Sequence, residues 1–173
     1  MKHKNSELLP YYKEAKKGLN YNPDTGIFTR WIESKQCYKT EGHAHRGYLS
    51  ISITIDNNQK NLLAHRIAWF ITYNKLPNIV DHINHKKSDN RINNLRECTK
   101  QQNGFNRGKQ LNNTSGYKGV TWNKVSGKYL AKIWLSGKTI NLGMFACPKE
   151  ASEVYESKAK ELFGEFYCDD CNE

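Results

Sequence analysis

Strict alternation of apolar and polar residues in the stretch GYLSISITI constrains the fold of this chain more than any other feature. Every second residue from Leu49 to Ile55 is apolar, which predicts a strand with one buried face. The Asp-Asn-Asn that follows tolerates the left-handed backbone of a tight turn, so Gln59 to Ala64 is expected to return as a hairpin partner. From His65 the apolar residues recur at helical spacing until Pro77, where a helix cannot continue. An earlier turn at Asn22 to Gly26 precedes another short strand.

The asparagine-rich stretch DHINHKKSDNRINNLRECTKQQN has the local signals of a strand, a long loop, a second strand and a helix. The β-branched run IVDHI predicts the first strand, and Leu95 to Cys98 predicts the second. Thr99 and Gln102 have the spacing of a capping box, so a helix is expected to begin near Lys100. Asn103 then lies in the first turns of that helix, near the end where backbone amides lack partners.

The charge of the chain favours a polyanionic partner. The sequence carries 27 Lys and Arg against 17 Asp and Glu, a formal net charge of +10. Residues 111–146 hold five lysines and no acid, whereas residues 147–173 hold three lysines and eight acids. Ordinary surfaces mix the two signs, so this segregation predicts a basic face backed by an acidic element. The alternative to a polyanionic partner is that the charge serves only to keep the protein soluble.

Length and hydrophobicity point to a globular protein without a membrane segment. The 173 residues are enough for one domain or two small ones, and 37% hydrophobic residues build only modest cores. The first residues contain no apolar run of signal-peptide length, and nowhere do eighteen apolar residues stand together. We therefore expect a cytoplasmic protein.

The five cysteines do not have the pattern of a secreted disulfide framework. Their number is odd, and only Cys168 and Cys171 form a C-x-x-C pair. One such pair supplies half of a zinc site, and Cys37, Cys98, His43 or His45 could complete it. Isolated pairs are usually incidental, so no zinc is assigned.

The C-terminal third predicts three strands followed by a helix. Strand breaks fall at Ser126-Gly127 and Ser136-Gly137, and Pro148 suits the first turn of a helix with one apolar stripe. Alternation along the strands predicts which residues pack beneath that helix: Val120, Trp122, Tyr129, Ala131, Ile133, Leu135, Ile140 and Leu142. The opposite face would carry Thr121, Asn123, Leu130, Lys132, Trp134, Thr139 and Asn141. A tryptophan among lysine, threonine and asparagine on an open sheet is expected to have a partner.

The motifs HRIAW, VDHINH, DNRINNLR and TKQQN together resemble the HNH homing endonucleases of phages and mobile introns. The resemblance covers about residues 21–107 and implies a ββα-metal nuclease core at about residues 79–107. It places the three motif positions on His82, Asn94 and Asn103 and implies that His82 is the general base. It also implies that Asn94 braces the loop and that Asp81 and Asn103 bind one divalent ion per active site.

The ligands that the resemblance implies are hard oxygen donors, which suit Mg²⁺ or Mn²⁺ better than zinc. Asparagine in place of histidine at the third motif position strengthens this expectation. Asp81 and His82 alternate along a strand and point to opposite faces, so a twist or bulge is expected to bring both to one site. His65 and Arg66 could face the phosphate, or they could simply belong to the start of a helix.

The pattern YKGV, GKYLAKI, LGMF and EAS over about residues 115–166 is similar to the Apetala-type, or ethylene-response-factor, DNA-binding domain of plants. Several arginines of the plant domain are replaced here, so its DNA preference does not carry over. The resemblance implies that the residues facing the DNA groove are Lys118, Thr121, Asn123, Lys132, Trp134, Thr139 and Asn141. Arg66 is a further expected DNA contact.

These patterns together predict an α+β protein. It would consist of an HNH nuclease domain at 1–107, a linker at 108–116 and an Apetala-type domain at 117–173. In the nuclease domain, antiparallel strands would precede the ββα-metal core. In the C-terminal domain, a three-stranded antiparallel sheet would pack on one helix. The expected function is metal-dependent, site-selective DNA cleavage of the homing type, with double-stranded DNA as partner and no membrane or evident protein partner. If a phage encodes the chain, it would act in the bacterial host cytoplasm. One site per chain would nick a single strand. The alternatives are a DNA-binding regulator with an inactive nuclease fold and an RNA-binding protein.

Overall fold

The computed structural model describes residues 5–106 and 113–168. The chain divides into two compact units, Met1–Cys98 and Thr99–Glu173. The helix that carries Asn103 therefore belongs to the second unit, whereas the sequence places it in the nuclease domain. Most of the predicted linker, and Cys171, lie outside the described residues.

The first unit is a mixed α/β arrangement of small antiparallel sheets. Two three-stranded sheets have the orders β1-β2-β3 and β4-β5-β6, and β7 pairs with β8. Its elements in chain order are α1 Asn5–Gly18, β1 Asn20–Tyr21, β2 Phe28–Ile32, β3 Cys37–Glu41, β4 His43–His45, β5 Tyr48–Ile55, β6 Asn58–Leu63, α2 Ala64–Tyr73, β7 Ile79–His82 and β8 Leu95–Cys98. The predicted hairpin is confirmed: Ile55 pairs with Asn58, and the two turn residues between them have positive φ.

The core of the first unit forms where α1 and α2 cover the apolar face of β5. Ile51 and Ile53 of that strand are buried against Ile67 of α2 and Tyr12 of α1. Burying side chains of this size contributes about 1.5–3 kcal/mol each. The helix α1 is not predicted from the sequence, because its apolar residues are few and Pro10 interrupts the pattern.

The second unit is a three-stranded antiparallel sheet packed on one helix, as predicted. Its elements are α3 Lys100–Phe105, β9 Val120–Asn123, β10 Lys128–Leu135, β11 Lys138–Phe145 and α4 Pro148–Phe163. Ala131 and Ile133 of β10 are buried against Ala151 and Tyr155 of α4. None of the helices in the described part of the chain is long and apolar enough to cross a membrane.

The helix α3 is short and is held at both of its ends. Thr99 and Gln102 form the predicted capping box, with the Thr99 Oγ1 accepting from the Gln102 backbone N–H at 3.2 Å. At the other end, the Phe105 ring stacks on Phe163 of α4, with 3.8 Å between ring centroids. Six residues are too few for a helix to be stable alone, so these contacts account for its presence.

Candidate active site and nucleic-acid interface

The strand β7 ends in Asp81 and His82, and its pairing with β8 fixes the direction of both side chains. The ladder runs from the pair Ile79–Cys98 to the pair His82–Leu95 without a register shift. Consecutive side chains therefore point to opposite faces of this ribbon. The β7–β8 pair has no bulge, so of the two expected alternatives only a twist remains, and it stays a prediction.

His82 is buried among aromatic and polar groups. Its side chain lies within 6.0 Å of the Tyr48 ring and 4.9 Å of the His65 ring, measured between centroids. Burial lowers the pKa of His82, and this outweighs the opposing effects of the Asn90 hydrogen bond and of Asp81 and Asp89. The imidazole is therefore neutral at cellular pH, as a general base must be.

Asn90 determines which nitrogen of His82 carries the proton. The Asn90 Nδ2 donates to the Ser88 carbonyl at 3.2 Å, so its Oδ1 is the atom that faces His82, and the Oδ1–Nε2 distance is 3.3 Å. An amide oxygen only accepts, so Nε2 must carry the hydrogen, and Nδ1 is then the nitrogen with the lone pair. Asn90 is not among the residues predicted from the sequence, although it is 1% exposed and its side chain lies at hydrogen-bond distance from the candidate base.

The turn at residues 22–26 supports the backbone of Asn90. Tyr21 donates its hydroxyl to the Asn90 carbonyl at 2.7 Å, and the Ile92 N–H donates to the Pro23 carbonyl at 3.0 Å. Gly26 approaches so closely that an added Cβ would lie 2.6 Å from the Arg91 nitrogen. Side-chain volume is therefore excluded at Gly26, whose φ of +72° also favours glycine.

The loop between β7 and β8 is closed by Asn94 and Asp89. The Asn94 Oδ1 accepts from the Asn84 N–H at 3.0 Å, and its Nδ2 donates to the Asp89 carbonyl at 2.8 Å. These are the bonds to backbone that a brace of the loop requires. Arg91 donates to both carboxylate oxygens of Asp89 and, as the largest contribution, lowers the pKa of Asp89 to about 2.

His65 does not face an open site. It is 4% exposed, and its Nδ1 is buried with no hydrogen-bond partner among the residues that the structure describes. Burial, with smaller contributions from the charges of His82 and Arg66, lowers the pKa of His65 to about 3. The neutral His65 ring therefore packs against His82 and does not serve as a phosphate ligand.

The predicted DNA contact at Arg66 is replaced by structural contacts within the first unit. Its guanidinium donates to the Tyr12 hydroxyl, to Asn5 Oδ1 and to the carbonyls of Pro77 and Asn78, at 2.9–3.2 Å. These bonds tie α1 and the start of β7 to α2. The alternative given for this residue, an arginine that belongs to the helix start, fits the structure better.

Asp81 has the donor type that a hard cation needs, but Arg96 already neutralises it. Arg96 lies directly opposite on β8, and its Nη2 donates to Asp81 Oδ2 at 3.1 Å. Both side chains are nearly buried, at 12% and 10% exposure. A carboxylate in this setting fits Mg²⁺ by its chemistry, and the ion would have to compete with the guanidinium.

Asn103 lies in α3 of the second unit and is half-buried. Within residues 5–106 and 113–168, no group of three or more His, Cys, Asp and Glu side chains could hold a metal ion. A metal bound by one carboxylate and one amide would take most of its ligands from water and the phosphate. The shared ion of Asp81 and Asn103 stays a prediction.

Comparison with known proteins finds similarity to HNH endonucleases over part of the chain. Residues 62–105 match the HNH endonuclease family profile. An uncharacterized HNH endonuclease of Acanthamoeba polyphaga mimivirus is 38% identical over 106 residues, which cover 59% of this chain and 54% of that protein. The chain thus spans about half the length of the curated relative that it matches. No solved structure matches the chain significantly.

Both findings support the prediction that the chain is a nuclease and therefore a hydrolase. Residues 62–105, called here the HNH segment, include His82, Asn90, Asn94 and Asn103. The profile does not extend to the C-terminal sheet, so the Apetala-type domain stays a prediction.

Outside the HNH segment, the open face of the C-terminal sheet holds most of the predicted DNA-binding residues. Lys132 lies directly opposite Asn141, and Trp134 lies opposite Thr139. Trp134 is 61% exposed. Thr121 is exposed opposite Leu130 of β10, and Met144, which is not among the predicted residues, is 50% exposed on the same face.

Three C-terminal predictions need correction. The Lys118 Nζ donates to the carbonyls of Phe105 and Cys168 at 3.1 and 3.3 Å, so this lysine supports its own unit rather than the open face. The Asn123 Oδ1 accepts from the Val125 and Ser126 amides and closes the β9–β10 turn. Trp122 is 43% exposed and packs edge-on against Tyr129 instead of lying beneath α4.

Proposed function

We propose that the chain is a metal-dependent, site-selective DNA endonuclease of the homing type, encoded by a phage or mobile element. The observation that carries the proposal is His82, a buried and neutral imidazole whose Nε2 is held by Asn90 within the HNH segment. A histidine kept in one tautomer by a satisfied amide is prepared to accept a proton. If Asp81 and His82 formed only a surface ion pair, the fold would not need to hold the imidazole in one tautomer.

In this mechanism His82 removes a proton from the attacking water through Nδ1. Asn90 holds the imidazole in the required orientation, and Asn94 keeps the loop closed around it. Asp81 and Asn103 would hold a single Mg²⁺ or Mn²⁺, which when bound neutralises charge on the phosphate and on the departing 3′ oxygen. To bind the ion, Asp81 would have to give up at least part of its ion pair with Arg96.

We propose double-stranded DNA as the partner of the open C-terminal face. Lys132 provides charge for the phosphates, while Trp134, Thr139 and Asn141 provide apolar and hydrogen-bonding groups for base edges. The net charge of +10 supports a salt-dependent affinity for DNA. One catalytic histidine per chain would cut one strand, so a monomer is expected to nick.

The Asp81–Arg96 ion pair favours one alternative, a DNA-binding regulator with an inactive nuclease fold. Breaking a nearly buried pair is costly, about 3–5 kcal/mol when one partner is lost. If no ion displaces the guanidinium, the metal site does not form. Only cleavage measurements separate the two functions.

The test is the cutting of supercoiled plasmid by the wild type with Mg²⁺, by the wild type with EDTA, and by His82→Ala with Mg²⁺. A matched control is His43→Ala, since His43 is an exposed histidine on β4 of the same unit. We expect nicked circles from the wild type and from the control, and none from the other two reactions. Equal products in all four lanes would leave the regulator as the better account.

A further inference from the structure

The ring of Tyr48, at the start of β5, is a shared contact of His82 and of a lysine that the mechanism above does not use. The Lys87 Nζ lies 4.9 Å from the centroid of this ring, and the His82 ring lies 6.0 Å from it. A cation over an aromatic face is attracted by about 0.5–1 kcal/mol at an exposed site. Lys87 therefore lies over the same ring that the candidate base approaches.

The fold of the β7–β8 loop brings Lys87 to this position. The His85 N–H donates to the His82 carbonyl at 3.2 Å, and the Asp89 N–H donates to the Lys86 carbonyl at 2.9 Å. Two successive turns thus fold the loop back toward β7. The stem of Lys87 also lies beside the β4–β5 turn, where a Cβ added to Gly47 would lie 3.4 Å from the Lys87 Cδ.

The charge of Lys87 is available to an anion. The two acidic residues of β7 and of the loop that follows it already have cationic partners, Asp89 with Arg91 at 2.6 Å and Asp81 with Arg96 at 3.1 Å. In the part of the chain that the structure describes, no ion pair engages Lys87, and the residue is exposed.

We propose that Lys87 binds a non-bridging oxygen of the scissile phosphate beside the water that His82 deprotonates; this rests on the proposed function of His82. The water oxygen forms the new bond to phosphorus, the bond from phosphorus to the 3′ oxygen breaks, and the 3′ oxygen takes a proton from solvent. The water proton passes to His82 Nδ1. Lys87 keeps its three protons and offsets the negative charge that grows on the phosphate oxygens in the transition state.

The adjacent lysine provides a matched control. Lys86 is also exposed and has the same charge, so Lys86→Ala and Lys87→Ala remove equal charge from the loop. Cleavage of plasmid is measured under single turnover with Mg²⁺, and affinity for a DNA duplex is measured separately in EDTA. Lys87→Ala should slow cleavage about 10- to 100-fold, less than the loss of a buried oxyanion donor. Lys86→Ala should cleave within about threefold of the wild type, since a lysine that contributes only surface charge changes affinity more than chemistry.

Three further variants separate the charge of Lys87 from the structure of the loop. Lys87→Arg keeps the charge and should retain more cleavage than Lys87→Ala. Tyr48→Leu removes the ring beneath the amine and should slow cleavage, whereas Tyr48→Phe, which keeps the ring, should not. Thermal melting of each variant shows that it is folded at the assay temperature.

Two results would overturn the inference: Lys87→Ala cleaving as fast as Lys86→Ala, or both variants losing only DNA affinity and to the same extent. If the wild type cuts and His82→Ala does not, these results remove the role of Lys87 alone. A wild type that cuts no DNA overturns the proposed function together with this inference.

Discussion

Replacing Gly26 with alanine should destabilise the first unit far more than the same replacement at Gly47. Both glycines have positive φ, +72° and +83°, so alanine at either position carries a left-handed backbone that costs about 1–2 kcal/mol. At Gly47 the nearest atom is the flexible Lys87 Cδ, at 3.4 Å. At Gly26 the new Cβ would meet backbone atoms of Asn90 and Arg91 at 2.6 Å, and backbone cannot rotate away.

Overpacking of this kind adds about 1–3 kcal/mol to the backbone strain. The two variants should therefore differ by about 2 kcal/mol, which corresponds to roughly 8–16 °C in the melting temperature of a unit of this size. Calorimetric melting of the two full-length variants measures the difference. Equal losses at the two positions would show that the turn does not press on the Asn90 backbone.

The same replacement should also slow catalysis, because the displaced backbone is that of Asn90. Cleavage by Gly26→Ala is measured well below its melting temperature, where the variant is folded. We expect a rate below that of the wild type with DNA affinity unchanged. A stability loss without any loss of rate would mean that the support of Asn90 does not reach His82.

Other predictions follow from single contacts. Asn90→Leu should lower the single-turnover rate about 10- to 100-fold, the cost of about 1–3 kcal/mol for a lost buried hydrogen bond, while duplex affinity measured in EDTA stays constant. The pKa of Asp89 is lowered to about 2, so the ionised carboxylate stabilises the fold above about pH 4, and this stabilisation is lost as the pH falls toward 2. The melting temperatures of the wild type and of Asp89→Asn should therefore differ at pH 7 and converge near pH 2. Phe105→Ala should destabilise the second unit by about 2–4 kcal/mol in urea unfolding, because its ring stacks on Phe163. Trp134→Ala should weaken duplex binding without lowering the melting temperature, since the side chain is largely exposed.

Features that depend on local periodicity could be predicted from the sequence. The strand Leu95–Cys98 has the expected bounds, and the capping box of Thr99 and Gln102 forms as predicted. The β5–β6 hairpin follows from alternation and from the Asp-Asn-Asn turn. These elements are specified by neighbours within a few residues, so no knowledge of the tertiary structure is needed.

The roles of individual polar side chains could not be predicted in the same way. Asn90 stands among many asparagines, and only the closed loop shows that its Oδ1 faces His82. Arg66 and Lys118 have the residue type of a DNA contact, yet each is used by backbone carbonyls of its own unit. A basic residue predicts a phosphate contact only when the fold leaves its donors unused, and that depends on long-range packing.

The central claim is that His82 is the base that activates water, and chemical rescue tests it most directly. His82→Ala is incubated with supercoiled plasmid and Mg²⁺, with and without added imidazole, beside the His43→Ala control. The account predicts that His82→Ala is inactive alone, that imidazole restores part of its nicking, and that the control is unaffected by imidazole. Full activity of His82→Ala without imidazole would contradict the account.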